Sequence, residues 1–326
     1  MVANTPVTQP DAVVTVIVPG FDVEPYVTDA LDSLRAQTFE AWTAILVDDG
    51  SDDATGALFD AAAAADARFQ VVHHPERRGL GAARNTGLDR VGTPFLAFLD
   101  ADDVMAPHAL ERLVGTLTAS GSDLAVGAYV RLRPDGAGGY RAGDVQAWVA
   151  AATRPQRRGT TLAAHPEASG NIVAWSKLSR AELWRGLRFP EGVLYEDQIV
   201  AQVLYTRARA FDVIPDVVVQ WRERADGSSI TQARDRLPVL QDYLAALAGG
   251  LQVLVASGHT AAVHARVRLI LAMDLPPLVR IAEDHPDVAY RRALGAFVRE
   301  LWAHGPSART GVDGQARRLA EAALLW

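Results

Sequence analysis

From Val13 to Val126 the sequence alternates between short apolar runs and longer amphipathic stretches, and this alternation restricts the fold more than any other feature. Apolar, β-branched runs lie at 13–18, 42–47, 69–73 and 94–99. Each run is followed by apolar residues at helical spacing, at 24–37, 54–65, 81–90 and 107–117. Because strands that alternate with helices build βαβ units, the sequence predicts an α/β fold with a doubly wound, mostly parallel, Rossmann-like sheet.

Polar and acidic residues follow three of these predicted strands. Pro19-Gly20-Phe21-Asp22 follows the first strand, Asp48-Asp49 the second, and Asp100-Ala101-Asp102-Asp103 the fourth. In open α/β sheets, ligands bind in the crevice at the carboxyl ends of the strands. We therefore expect these residues to line one crevice.

The carboxylates of Asp100, Asp102 and Asp103 are adjacent in sequence, and the residues alone leave three explanations open. Asp is common in turns because its side chain hydrogen-bonds nearby backbone groups. The Asp100-x-Asp102 spacing also resembles the motif of haloacid dehalogenase phosphatases, with Asp100 as nucleophile, although that motif follows the first strand of its domain. The third explanation is a divalent cation, Mg²⁺ or Mn²⁺, bound by Asp100 and Asp102 and bridged to a diphosphate.

The charge and composition exclude some functions. With a formal net charge of −7 over 326 residues, the chain lacks the basic surface that nucleic-acid binding requires. It has no cysteine, so thiolate chemistry and disulfides are excluded. The first residues do not have the pattern of a signal peptide, and no apolar run is long enough to predict a transmembrane helix. We expect a cytoplasmic protein that contacts the inner face of the membrane, if at all, peripherally through its substrate.

Several segments together resemble a known family. In chain order, VTVIVPGFDVEPYVTDALDSLRAQTF, AILVDDGSDD, RRGLGAARNTGL and TPFLAFLDADD resemble the nucleotide-sugar-binding half of bacterial family 2 glycosyltransferases of the GT-A fold. WSKL, RFPEGVLYEDQ and QWRERADGSSIT resemble the acceptor-side half and the closing segment. The resemblance implies an inverting transferase that uses Mn²⁺ or Mg²⁺. Its donor would be a nucleoside-diphosphate sugar, with UDP favoured, and its acceptor a hydroxyl of a bacterial glycan, cell-wall or capsular polymer, glycolipid or secondary metabolite.

The resemblance also assigns roles to individual residues. Pro19, Phe21 and Asp22 correspond to the turn that holds the nucleoside base, and Asp49 to a carboxylate that contacts the base. In this turn Gly20-Phe21-Asp22 replaces the commoner Val-Tyr-Asn, which makes uridine specificity less certain than metal binding. Asp100 and Asp102 would make the ribose and metal contacts. The other donor-binding residues implied by the resemblance are Arg78, Arg84, Ala101, Lys177, Arg222, Arg224 and Ser229.

Glu196 and Asp197 are the candidate catalytic residues. An inverting transfer needs a carboxylate that accepts the proton of the attacking acceptor hydroxyl. Acids at the start of a helix also complement its dipole, by about 0.3–1 kcal/mol, and spacing alone favours that plainer explanation. The resemblance of VLYEDQ to the base-bearing motif favours Asp197 as the base, with Glu196 as its supporting or acceptor-binding neighbour. A sugar-nucleotide-binding protein without turnover is the alternative in which Asp197 is not needed.

Lys177 is the only lysine of the chain. Its compact ammonium group, within WSKL, could reach a phosphate or an acceptor. An isolated surface lysine is the other interpretation.

We predict three parts along the chain: a disordered tail at 1–12, a GT-A domain at 13–233, and a helical region at 234–326. Within the GT-A domain, 13–127 would bind the nucleotide sugar and 128–233 would face the acceptor. The stretch 134–170 is rich in Gly, Pro and Arg and predicts a mobile loop region. Amphipathic stretches at 237–255, 259–281, 288–303 and 314–325 predict four C-terminal helices, for which packing, homo-oligomer formation and acceptor capture all remain open.

Overall fold

The computed structural model describes residues 12–225 and 234–326. The predicted tail, apart from its last residue, and the predicted donor-binding residue Ser229 lie outside these ranges. A ten-stranded sheet forms the centre of the protein, with eight strands in the order β3-β2-β1-β4-β9-β6-β10-β5, β7 beside β6, and β8 beside β10. The strands are β1 Val14–Gly20, β2 Trp42–Asp48, β3 Phe69–His73, β4 Phe95–Phe98, β5 Val104–Met105, β6 Leu124–Pro134, β7 Tyr140–Ala142, β8 Arg157–Thr160, β9 Lys177–Arg180 and β10 Phe211–Arg222.

The first four strands are parallel and form the part of the sheet that the alternation predicts. β1 pairs with β2 and β4, and β2 pairs with β3. Every residue of β1, β2 and β4 is buried, because helices cover both faces of a parallel sheet. In register, Gly20 lies opposite Asp48, and Ile17 lies opposite Phe98. The carboxyl ends of these strands, and the acidic residues after them, therefore meet at one edge.

Helices connect and cover the strands, and a further set of helices follows the sheet. The helices of the sheet region are α1 Glu24–Arg35, α2 Thr55–Ala65, α3 Leu80–Leu88, α4 Ala109–Ser120, α5 Ala147–Thr153 and α6 Asp197–Arg207. The C-terminal helices are α7 Leu237–Ala256, α8 Thr260–Leu269, α9 Leu275–Asp284, α10 Val288–Ala303 and α11 Gly314–Ala323. The prediction of a mostly parallel α/β sheet with C-terminal helices is confirmed.

The second half of the sheet contains antiparallel strands that the sequence did not predict. β9 runs antiparallel between β4 and β6, and so joins the two halves of the sheet. β10 is one continuous strand from Phe211 to Arg222. The register of β10 against β6 shifts between Val213 and Val217, on either side of Pro215, which has no N–H to donate to the ladder.

The prediction of a mobile loop region at 134–170 is wrong. This stretch contains β7, α5, β8 and a short 3₁₀-helix at Pro166–Gly170. The Gly and Pro residues mark tight connections between short elements, which a composition-based prediction does not distinguish from a continuous loop.

The C-terminal helices pack on the sheet domain and share its hydrophobic core. α7 lies close to α6, because Gly249 and Gly250 have no side chains. A Cβ on Gly249 would be 2.6 Å from Ile199 Cδ1, and one on Gly250 would be 3.3 Å from the carbonyl oxygen of Gln198. Helix α7 is also long and apolar enough to cross a membrane by length and composition, contrary to the sequence-based expectation. Length and composition alone do not assign α7 to a membrane. Half of its apolar stretch is buried inside the protein, as in the core helix of a soluble domain.

Candidate active site

A cavity of about 900 Å³ opens at the carboxyl ends of β1, β2 and β4 and extends to the C-terminal helices. It brings together residues that are far apart in the sequence. The predicted site residues that line it are Pro19, Phe21, Asp22, Asp49, Arg84, Asp100, Ala101, Asp102, Glu196, Asp197, Arg222 and Arg224. Arg78 and Lys177, which were also predicted, are not part of the lining.

Arg84 connects the two halves of the site. It lies in α3, and its side chain is 2% exposed. Its Nη2 donates to Asp100 Oδ1 over 2.7 Å, and its Nη1 donates to Glu196 Oε1. Burial alone would lower the pKa of Arg84, but the carboxylates of Asp100 and Glu196 outweigh it and raise the pKa. The buried guanidinium therefore stays charged and holds an acid from each half of the site.

Close packing of α3 brings Arg84 to Glu196. Gly81 lies one helical turn before Arg84, and a Cβ built on Gly81 would be 2.0 Å from the carbonyl oxygen of Pro190. The segment that leads to Glu196 thus touches the backbone of α3 at a position where only glycine fits. Tyr195 has a positive φ of 60°, a conformation that bulky residues rarely adopt. This turn directs the following residues into the cavity.

The carboxylates after β4 are paired with arginines of the closing segment. Arg224 Nε donates to Asp102 Oδ2 over 2.8 Å. Arg222 donates through its Nε to the carbonyl oxygen of Asp102 and through its backbone N–H to Asp103 Oδ1, 2.7 and 2.8 Å away. Burial raises the pKa of Asp102, and the charge of Asp100 adds to the rise while Arg224 opposes it. Burial, Asp102 and Asp100 also raise the pKa of Asp103 well above its usual range. Burial is the main cause of both shifts, and the neighbouring carboxylates add to it.

Asp197 is the first residue of α6 and lies beside Glu196 on the cavity wall. Burial, together with the charge of Glu196, raises the pKa of Asp197 to about 7, against the opposing effects of Arg84 and Lys177. Burial also raises the pKa of Glu196, which the charge of Arg84 opposes. A carboxyl group with a pKa near neutrality is suited to accept and return a proton at physiological pH. Glu196 forms an ion pair with Arg84, whereas Asp197 has no ion-pair partner within 4.0 Å among the described residues.

Lys177 is neither an isolated surface residue nor a cavity residue. It is 3% exposed at the start of β9, and its Nζ donates to Asn171 Oδ1 and to the carbonyl oxygen of Val173, 2.9 and 2.6 Å away. Burial lowers the pKa of Lys177 to about 7, and the charge of Asp197 opposes this shift. Lys177 thus does not line the cavity, and its charge lowers the pKa of Asp197.

Asp49 lies at the end of the cavity formed by β1 and β2, where its carboxylate is fixed by three donors. Its Oδ1 is 2.7 Å from His74 Nδ1 and accepts from the Arg78 backbone N–H over 3.0 Å, and its Oδ2 accepts from the Gly79 N–H over 2.7 Å. These bonds hold the turn before α3 against the end of β2.

Phe21 and Asp22 form the turn after β1. Asp22 has a φ of 47°, and its Oδ1 accepts from the Asp52 N–H over 3.0 Å. The guanidinium of Arg77 lies 4.1 Å from the centre of the Phe21 ring, and both residues line the cavity. Arg78, and not Arg77, was the predicted donor-binding residue here. The Arg78 side chain instead pairs with Glu191, with an Nη2 to Oε2 distance of 3.1 Å.

Other cavity residues carry no motif and were missed by the sequence analysis. Gln198, Arg234 and Arg266 also line the cavity; Gln198 follows Asp197 in sequence, and Arg266 comes from α8. Arg266 Nη2 donates to Gln198 Oε1 over 3.0 Å. No pattern in the sequence indicates that a helix of the C-terminal region reaches the candidate base.

The carboxylates of Asp100 and Asp102 fit a hard divalent cation. Both lie on the cavity wall, with side chains 21% and 20% exposed. Arg84 binds one oxygen of Asp100 and Arg224 binds one oxygen of Asp102. Burial, with the charge of Asp100 added, raises the pKa of Asp102, and a bound cation would favour its ionised form. In residues 12–225 and 234–326, no group of three or more His, Asp or Glu side chains is arranged to hold a metal. A cation here would therefore take its remaining ligands from a diphosphate and water.

Comparison with known sequences identifies a family. Residues 15–175 match the family model described as "Glycosyl transferase family 2". The glycosyltransferase GlyA of Streptococcus pneumoniae serotype 4 is 32% identical over 197 residues, which are 60% of this chain and 28% of GlyA. The chain thus spans less than a third of the length of this relative.

Solved structures share the fold. S. aureus TarS 1-349 in complex with UDP-GlcNAc superposes with a TM-score of 0.71 at 18% identity, over 96% of this chain and 87% of that one. The mannosyltransferase PcManGT of Pyrobaculum calidifontis, in complex with GDP-Man and Mn²⁺, gives a TM-score of 0.56 at 18% identity, over 98% and 88% of the two chains. At these identities the likeness establishes the GT-A fold.

Proposed function

We propose that this chain, which belongs to glycosyl transferase family 2, is a glycosyltransferase that transfers a sugar from a UDP-sugar, with inversion, to a hydroxyl of a bacterial glycan, cell-wall or capsular polymer or glycolipid. The observation that carries this proposal is the double pairing of Arg84 with Asp100 and Glu196. This pairing holds the acidic loop after β4 next to Glu196, the neighbour of Asp197, and so supports a site in which the loop binds the diphosphate and Asp197 is the base.

The donor would occupy the part of the cavity lined by β1, β2 and the loop after β4. The turn at Phe21 and Asp22 and the ring-stacked Arg77 would hold the nucleoside, while Arg222 and Arg224 lie beside the carboxylates that face the diphosphate. A volume of about 900 Å³ is at the upper end of the usual range for a small-molecule site, which leaves room for an acceptor. UDP is favoured because the TarS structure contains UDP-GlcNAc.

Asp100 and Asp102 would hold Mn²⁺ or Mg²⁺. When bound, the cation would offset negative charge on the leaving diphosphate. Support comes from the donor set described above and from the Mn²⁺ in the PcManGT complex. An excess of chelator should then lower transfer by about two orders of magnitude or more, and Mn²⁺ or Mg²⁺ should restore it. Full transfer in chelator would contradict the metal role.

Asp197 would be the general base. With its pKa near 7, it is ionised in a large fraction of molecules at neutral pH and can accept the proton of the attacking hydroxyl. Glu196, held by Arg84, would position it. The haloacid dehalogenase alternative loses its support, because the family is a glycosyltransferase family and Arg84 already holds Asp100 Oδ1. A binding protein without turnover remains the competing hypothesis, in which Asp197 would have no role.

A nucleotide screen tests the donor part of the proposal. Thermal unfolding would be followed with UDP-, GDP-, CDP- and dTDP-sugars, each with Mn²⁺. A ligand at about 100 times its dissociation constant stabilises a protein by about 2.7 kcal/mol, which raises the Tm measurably. We expect the largest rise with a UDP-sugar. Stabilisation by none of the four classes would overturn the proposal. A cytoplasmic location at the inner face of the membrane and self-association through the C-terminal helices stay predictions.

A further inference from the structure

The C-terminal helices form one wall of the cavity. Beyond Asp197 the cavity is bounded by residues of α7, α8, α9 and the turn between the last two, namely Tyr243, Arg266, Leu269, Met273, Asp274 and Pro277. Four aromatic residues of the sheet domain also line the cavity, namely Tyr129, Trp148, Trp175 and Trp221. The rings of Tyr129 and Trp175 are 4.8 Å apart, and those of Trp175 and Trp221 are 6.4 Å apart. We call the part of the cavity that these two sets of residues line the chamber.

A π-helical turn points two residues into this chamber. Residues Ile270–Asp274 form a π-turn between α8 and α9, with the Leu275 N–H donating to the Ile270 carbonyl oxygen. Pro276 and Pro277 follow and have no N–H, so a regular α-helical ladder cannot continue through this point. π-Turns are rare and often lie at functional sites. Here the turn places Met273, which is 41% exposed, and Asp274 on the cavity wall.

Asp274 is part of a polar chain that ends beside the candidate base. Its Oδ1 accepts from the Tyr243 hydroxyl over 2.7 Å, and its Oδ2 is 3.6 Å from Arg266 Nη1. Arg266, which is buried, donates in turn to Gln198, the residue after Asp197. Within the part of the chain that the structure describes, the buried Asp274 Oδ2 has no hydrogen-bond donor. Buried acceptors are usually satisfied, and because this atom is itself buried, the Asp274 carboxylate, which is 21% exposed, would have to rotate to present it to a hydroxyl of a ligand.

The charges around the chamber largely cancel. The Arg131 guanidinium pairs with Glu223 and lies 4.7 Å from the centre of the Trp221 ring. Arg266 lies beside Asp274. Arg234 also lines the cavity, with its guanidinium 5.0 Å from the centre of the Tyr243 ring, and the carboxyl group of Asp197, when ionised, offsets its charge. The chamber thus offers aromatic faces and hydrogen-bonding groups without an excess of positive charge. Aromatic faces suit the apolar faces of a sugar ring, and a carboxylate oxygen suits its hydroxyls.

We infer that the C-terminal helices, through Met273 and Asp274, form the acceptor subsite, and that its occupant is an uncharged glycosyl unit and not an anionic polymer segment. The inference rests on the proposed glycosyl transfer and specifies its acceptor. An anionic acceptor would need cations in excess of the carboxylates, as in phosphate-binding sites.

The test compares neutral and anionic acceptors with the full chain, a UDP-sugar identified by the nucleotide screen, and Mn²⁺. The neutral set is the 4-nitrophenyl glycosides of glucose, galactose and N-acetylglucosamine. The anionic set is the glucuronide and the 6-phosphate of the glucoside. Product is measured by mass spectrometry. We expect transfer to at least one neutral glycoside, at a rate at least about tenfold above that of its anionic counterpart. Preference for an anionic compound, or transfer to no neutral one, would overturn the inference.

Two variants test the subsite itself. Met273→Ala removes an exposed side chain, and Asp274→Asn keeps an oxygen that can accept from Tyr243. Each should raise the KM for the neutral acceptor by about tenfold, the effect of losing one good contact, and leave the KM for the donor within about twofold. Asp284→Asn, at the exposed end of α9, should change neither constant. An unchanged acceptor KM in both variants would overturn the assignment. Failure of the glycosyltransferase proposal itself would look different: neither the wild-type protein nor any of the three variants would bind a nucleotide sugar.

Discussion

The Arg84 guanidinium donates to the carboxylate of Asp100 over 2.7 Å while its second amino group donates to Glu196. Arg84, in α3, thereby connects the loop after β4 with the segment before α6. Both pairs are buried or nearly so, with side-chain exposures of 2% for Arg84, 21% for Asp100 and 5% for Glu196. The loss of one partner would leave buried carboxylates without a countercharge.

Replacement of Arg84 by Met should therefore cost about 3–5 kcal/mol of unfolding free energy, the usual penalty for breaking a buried ion pair. Arg78→Met is the matched control. Its guanidinium is about half exposed and pairs with the equally exposed Glu191, so the expected cost is about 0–1 kcal/mol. Urea denaturation measures both. Equal costs for the two variants would contradict the structural role given to Arg84.

A glycine pair provides a second test, of the close contact between α3 and the segment before Glu196. Gly81→Ala would place a Cβ 2.0 Å from the Pro190 carbonyl oxygen, and since backbone must move, we expect a loss of about 1–3 kcal/mol. Gly115→Ala in α4 meets nothing within 4 Å and should instead stabilise the protein by about 0.5–1 kcal/mol. Thermal or urea unfolding reports both. A stabilising Gly81→Ala would show that this contact is looser than described.

The pH dependence of transfer follows from the raised pKa of Asp197. A base must be ionised, so kcat/KM should rise about tenfold per pH unit below about 7 and level off above it. The effect on stability has the opposite sign. Because the folded state keeps the proton to a higher pH than the unfolded chain does, stability from this group falls as pH rises from the ordinary carboxyl range to about 7.

Two variants distinguish Asp197 from other groups that titrate near neutrality. Lys177 lowers the pKa of Asp197, so Lys177→Met should move the acid limb of the pH profile to higher pH. His73 also has a raised pKa, from its hydrogen bond to Asp48, but it does not line the cavity. His73→Gln should leave the limb in place. An acid limb near pH 4, the ordinary carboxyl range, would exclude Asp197 as described.

The sequence predicts the first half of the sheet well, because β-branched runs and helical spacing are local signals that burial enforces. The grouping of the acidic residues at one edge could also be predicted, because the carboxyl ends of parallel strands meet there. The role of Arg84 could not be predicted in the same way, because Glu196 is 112 residues away in sequence. The burial of Lys177 could not be predicted either, because it depends on the antiparallel insertion of β9 between β4 and β6.

The acceptor end of the cavity was even less predictable from the sequence. Arg266 and Asp274 lie in helices whose sequence pattern reports only which face is apolar. Their position beside α6 depends on the close approach of α7 at Gly249 and Gly250. A glycine pair inside a helix is a weak local signal that does not name its neighbour, so the contribution of the C-terminal helices becomes visible only in three dimensions.

The most direct test of the proposed catalytic role is Asp197→Asn, with Asp32→Asn, 61% exposed in α1, as the control. Transfer from the UDP-sugar and binding of the same donor would be measured on each protein. The account predicts that Asp197→Asn lowers kcat by about 10²–10⁴, the contribution of a general base, with the donor dissociation constant within about twofold of the wild-type value. Transfer at the wild-type rate in Asp197→Asn would contradict it.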